Sequence, residues 1–120
     1  MKICITSQGS DLKSEVDSRF GRCAYFIIID PETMDFEAIE NSSIHATGGA
    51  GIQSAQFVVN KGVNAVITGN CGPNAFYTLK SANIDVITGA KGTVKEILEK
   101  YKEGSLKSDS GPNVSPKFGF

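Results

Sequence analysis

Apolar positions in the first third of the chain fall in short, nearly continuous runs. Lys2 to Thr6 and Ala24 to Asp30 are rich in isoleucine and bounded by polar residues, the pattern of strands buried on both faces. Met34 to Glu40 sets Met34, Phe36 and Ala38 against Asp35, Glu37 and Glu40, which predicts a half-exposed return strand. Between them, Asp30-Pro31-Glu32-Thr33 predicts a tight turn, with proline fixing φ at the second position. Asn41 to Gly51 is a loop rich in Ser, Thr and Gly.

From Gly51 the period changes to that of a helix. Ile52, Ala55, Val58 and Val59 share one face, and Gly62 ends the helix as the residue after the cap. Ala65 to Thr68 is a short buried strand. Gly72-Pro73 opens a second helix with Phe76, Leu79 and Ala82 facing inward, because proline suits a first turn that needs no N–H partner. Ile84 to Ile87 is a further strand. Thr93-Val94-Lys95-Glu96 is a capping box, and Val94, Ile97, Leu98 and Tyr101 follow at helical spacing.

The order β-β-β-α-β-α-β-α makes the first three strands antiparallel and brings the later ones in parallel through helical crossovers. The expected fold is a single α/β domain over residues 1–103: a mixed five-stranded sheet flanked by helices, its first strand near the centre, with ribonuclease-H-like topology. Residues 104–120 lose apolar periodicity and are rich in Gly, Ser and Pro, which predicts a flexible tail.

Composition narrows the function classes. A chain of 120 residues with a formal net charge of -1 lacks the basic face that nucleic acid requires. No apolar run is long enough to span a membrane, and the start lacks a secretory leader, so a cytoplasmic location is expected. Cys4, Cys23 and Cys71 are odd in number and widely spaced, which fits neither a disulfide framework nor a zinc site. One histidine and no nucleophile elbow leave no triad to assemble. The first strand carries no carboxylate, so a two-metal nuclease of the ribonuclease-H type is not expected either.

Ligands of open α/β sheets bind beyond the carboxyl ends of the parallel strands. Two glycine-rich loops are expected there, Thr47-Gly48-Gly49-Ala50-Gly51 and Thr68-Gly69-Asn70-Cys71-Gly72-Pro73, each leading into a helix N-terminus. Their backbone N–H groups suit an anion, although the glycines equally serve tight turns. They match neither the P-loop nor the dinucleotide fingerprint. Cys71, just ahead of a helix, is either an exposed thiolate of lowered pKa, fit for soft metals, or a small turn filler. His45 is either a metal-competent loop imidazole or simply solvated. Cys4 and Cys23 read as core. Arg19 and Arg22 offer charge to an anion, or Arg19 braces the loop through Asp17.

The segment Val16-Asp17-Ser18-Arg19-Phe20-Gly21-Arg22, followed by Tyr25-Phe26, closely resembles the signature of the dinitrogenase iron–molybdenum cofactor biosynthesis family. Gly49-Ala50-Gly51-Ile52-Gln53, Gly62-Val63, Ile67-Thr68-Gly69, Gly72-Pro73-Asn74-Ala75 and Thr93-Val94 extend the resemblance in order over about residues 1–104. The family includes carriers of cofactor precursors and the orange protein, which holds a molybdenum–copper sulfide cluster non-covalently. The resemblance implies a non-catalytic carrier of an anionic metal–sulfur cluster of the Mo/Fe or Mo/Cu kind, exchanging it with a donor or acceptor protein, the carrier itself expected as a monomer. It implies a site over the helix N-termini, with Arg22, Gly48, Gly49, Ala50, Gly51, Gly69, Asn70, Gly72 and Pro73 around the cluster and His45 and Cys71 as metal ligands. A metal-free interaction module and a phosphate or nucleotide binder are the rival expectations.

Overall fold

The computed structural model describes residues 1–109 and 111–113. Five strands, β1 (Ile3–Ser7), β2 (Tyr25–Ile29), β3 (Phe36–Glu40), β4 (Ala65–Ile67) and β5 (Asp85–Ile87), form one sheet in the order β3-β2-β1-β4-β5. β1 pairs antiparallel with β2 and parallel with β4, so the mixed sheet has its first strand at the centre, as expected. Three helices follow the strands as the periodicity requires: α1 (Ala50–Asn60), α2 (Pro73–Ser81) and α3 (Val94–Lys102).

Alternation along the strands divides the core into two layers. Cys4, Phe26, Ile28, Val66 and Val86 face α1 and α2, burying Ala55, Val58, Ala75, Phe76 and Leu79. Ile3, Ile5, Ile27, Ile29, Ile67 and Ile87 face the other way, against Val94, Ile97 and Leu98 of α3. Two positions differ from the expected stripes. Ile52 is 37% exposed and Ala82 lies at the surface, while Ser54 and Ala75 take the inward places. Close packing of α1 against α2 favours small residues at that seam, which an apolarity pattern does not reveal.

The tail also differs. Residue 110 and residues 114–120 of the expected flexible segment lie outside the described residues, but residues 105–109 and 111–113 are tied to the sheet. Leu106 packs on the α3-side core, and the Asp109 N–H donates to the Val86 carbonyl at 2.7 Å. Polar composition hid this docking, because apart from Leu106 its contacts are hydrogen bonds to groups distant in sequence.

The connection from β1 to β2 is threaded through the carboxyl end of the sheet. A Cβ on Gly69 would lie 2.6 Å from Ser18 Cα, and one on Gly21 would lie 2.9 Å from Gly51 Cα. In both places backbone packs on backbone, which only glycine permits. Gly69→Ala should therefore cost about 1–3 kcal/mol in urea unfolding with an unchanged m-value. Gly48→Ala, where a Cβ meets nothing within 4 Å, should stay within about 0.5 kcal/mol of the parent.

Candidate functional site

Parallel pairing of β1, β4 and β5 directs their carboxyl ends to one side of the molecule. The crossovers then bring the N-termini of all three helices to that side. Their chemistry is unequal. α3 is closed by its own side chains: the Thr93 hydroxyl accepts from the Glu96 N–H at 3.1 Å, and Glu96 accepts from the Thr93 N–H at 3.0 Å. α1 and α2 start at Gly49 and Gly72, have no side-chain cap and carry no acidic residue in the first turn. Their positive ends are left for something else to satisfy.

The β1–β2 loop holds these two ends in register. Asp17 is buried, and its carboxylate accepts from the N–H groups of Arg19 (3.0 Å) and Ala24 (3.1 Å), closing the loop on itself. The Arg19 guanidinium lies 3.6 Å from the same carboxylate. The Thr6 hydroxyl donates to the Asp17 carbonyl at 2.8 Å, fastening the loop to the end of β1. Phe20 is fully buried beside Phe26, and its N–H donates to the Asn70 carbonyl at 3.1 Å. The Asn70 side chain in turn donates to the Ser18 carbonyl at 3.0 Å. The Gly21 carbonyl accepts from Ser54 on α1 (2.9 Å) and from Asn41 (3.0 Å). Asp17 was expected only as a brace for Arg19, and Asn41 and Ser54 were not singled out from sequence. The only signal was an acidic residue two places before an arginine, which reads equally well as a surface pair.

The expected site residues are distributed around this loop. Gly48 and Gly49 are exposed at the start of α1, with Gly49 at φ 72°, and Ala50 is buried as the first helical residue. Gly51 is half-buried against Gly21, while Gly69 is buried against Ser18. These two glycines are accounted for by chain packing. Gly72 and Pro73 begin α2 in an extended-to-helical step. Arg22 is half-buried, and its guanidinium donates to the Ile44 carbonyl at 3.2 Å. It therefore holds the loop that carries His45, as well as bringing charge to this end. His45 is exposed.

Cys71 requires a correction. The expected exposed thiolate is instead a fully buried thiol. Burial pushes its pKa up to about 12, and the nearby Asp109 carboxylate adds to the shift. Desolvation outweighs the helix dipole here, since the sulfur points into the core shared by Cys4 and Cys23. Those two thiols are raised as well, Cys4 by burial and Cys23 by burial with smaller contributions from Cys4 and Asp17. Among the described residues no three His, Cys, Asp or Glu side chains are grouped to hold a metal ion. What this end of the molecule presents is the uncapped starts of α1 and α2, the half-buried Arg22 guanidinium and the exposed His45.

The buried thiols carry a pH signature. Each holds its proton more tightly in the folded than in the unfolded chain, so its contribution is complete below the unfolded value of about 8.5 and is lost as pH rises. For Cys71 the loss runs up to about pH 12. Stability should fall by about 1.4 kcal/mol per pH unit for each cysteine titrating in this range. Cys71→Ala should flatten the alkaline limb by one such increment, read by denaturant midpoints between about pH 8.5 and 11.

Comparison with known proteins agrees with this architecture. The orange protein of Desulfovibrio gigas, solved in its apo form, superposes with a TM-score of 0.91 at 36% identity, covering 94% of this chain and 96% of that one. The Thermotoga protein TM1290, solved by NMR, gives a TM-score of 0.75 at 41% identity, covering 89% of this chain and 91% of that one. An uncharacterized Methanocaldococcus jannaschii protein, MJ0580, is 34% identical over 97 residues, which is 78% of this chain and 82% of that protein. No helix among the described residues is long and apolar enough to cross a membrane. The sequence model described as dinitrogenase iron-molybdenum cofactor matches residues 1–104, so the chain belongs to that family.

Proposed function

We propose that this protein is a non-catalytic carrier that binds an anionic metal–sulfur cluster at the carboxyl end of its sheet and passes it to a partner protein. The observation that carries this reading is the contrast among the helices. α3 neutralises its own N-terminus, whereas α1 and α2 leave theirs without a cap or an acid, at one end of the sheet. A preformed anion supplies the missing acceptors, as helix N-termini commonly bind phosphate or carboxylate. Membership of the dinitrogenase iron-molybdenum cofactor family supports a metal-containing cargo.

The cluster is the cargo, and its sulfurs are the acceptors. First-turn N–H groups of α1 and α2 donate to them, with the exposed Gly48 and Gly49 allowing close approach. Gly69, Asn70, Gly72 and Pro73 shape the opposite wall. Arg22, with Arg19 beside it, offsets negative charge. His45 offers an exposed imidazole able to bind a metal directly, while Cys71 keeps its thiol protonated and has its backbone N–H to offer once Asn113 releases it. Cargo held mainly through charge and N–H donors passes to a donor or acceptor protein with at most the His45 bond to exchange. No reaction at the cluster is required of the chain.

Anaerobic incubation with tetrathiomolybdate, with and without copper(I), followed by desalting and elemental analysis, tests this function. Stoichiometric molybdenum in one spectral form, falling with ionic strength, is expected. Retention no greater than an unrelated control overturns it and favours a metal-free interaction module. Ile52→Glu places an acid in the first turn of α1, where it suits the helix dipole and leaves folding intact. It should weaken retention by roughly three- to tenfold, because it repels the cargo. Unchanged retention would remove α1 from the site.

A further inference from the structure

Residues 105–109 and 111–113 leave α3 and cross back over the ends of β5 and β4. The Asp109 carboxylate accepts from the Thr88 hydroxyl, and the Asp109 N–H reaches the Val86 carbonyl. At the far end, Asn113 grips the loop between β4 and α2 from both sides of its own residue. Its N–H donates to the Cys71 carbonyl at 3.2 Å, and its Oδ1 accepts from the Cys71 N–H at 2.7 Å. Its Nδ2 donates to the Gly69 carbonyl (3.2 Å) and to Asn70 Oδ1 (3.1 Å). Every polar group of this side chain is thus spent on the segment that leads into the uncapped α2.

The Cys71 N–H lies just ahead of the Gly72 cap, and on the carrier function proposed above it is within the loop that an anion would meet. In the structure it is already occupied by a side-chain oxygen from the chain's own tail, with the Asp109 carboxylate close to Cys71. Both features oppose an incoming anion: one removes a donor, the other adds like charge. Among the described residues of this segment the hold is largely polar, with Asn113 exposed and Leu106 packed on the core, so opening need not disturb the core.

We propose that this segment is an autoinhibitory strap, in which Asn113 Oδ1 occupies on the Cys71 N–H the position that a cluster acceptor takes, so that strap docking and cargo binding exclude one another. The inference rests on the carrier function proposed above. Because the strap is tethered, it competes at a high effective concentration and sets a threshold for loading without altering the binding groups.

Amide hydrogen exchange on the full chain and on the Asn113→Ala and Asp109→Ala variants tests the strap without any metal, and tetrathiomolybdate affinity tests the competition. Both variants should raise Cys71 amide exchange by roughly tenfold, leaving Ile97 and Leu98 amides unchanged, and should tighten tetrathiomolybdate binding by a similar factor. Cys71 exchange at the parental rate in both variants overturns the strap. Faster exchange with unchanged affinity, in a protein that retains molybdenum, overturns the competition. Faster exchange with no molybdenum retained by any form supports the strap and overturns the carrier function instead.

Discussion

Backbone lies directly against backbone where Gly69 meets Ser18 and where Gly21 meets Gly51, and the carboxyl end of the sheet is organised by these two approaches. They let the β1–β2 loop pass between the start of α1 and the start of α2 instead of over them. Asp17 then has a buried position from which to bind two N–H groups, and Phe20 has a cavity to fill. Burying a phenylalanine side chain contributes about 1.5–3 kcal/mol, so the loop is anchored by packing as well as by hydrogen bonds. A methyl group at either glycine would push the loop outward and separate the helix ends that it keeps together.

The proposed anion site accords with the state of the side chains at this end. Ligation by thiolates would require Cys71 to give up a proton that burial makes it keep. Ligation by a carboxylate or imidazole cluster would require a grouping that the described residues do not form. On the proposed carrier function, N–H groups and guanidinium charge would hold the cargo chiefly by attraction, which is compatible with surrendering it intact.

Much of the fold was legible because hydrophobic period and cap chemistry are local. The runs around Ile5, Ile27 and Val66 became strands, and Thr93 with Glu96 forms the capping box that marks the start of α3. The direction of Cys71 was not legible. Its place ahead of α2 suggested a lowered pKa, but whether a side chain points to solvent or into the core depends on tertiary packing. Asp17 was equally ambiguous, since a buried carboxylate and a surface one look alike until the N–H groups converge on it. Asn113 carried no local signal, because its partners lie more than forty residues away in the chain. At the site, sequence located the loops and the structure revealed which of their groups are already spent.

The two borders of the sheet are finished differently. β5 has its outer carbonyl at Val86 taken by the Asp109 N–H. Among the described residues β3 has no such cover, yet it carries Glu37 and Glu40, the former paired with Lys61 at 3.4 Å. An unpaired border is a template for adding strands from other molecules, and charged side chains along it discourage this. The chain can thus leave one border uncovered without inviting its own polymerisation, and does so at the strand farthest from β5 in the sheet.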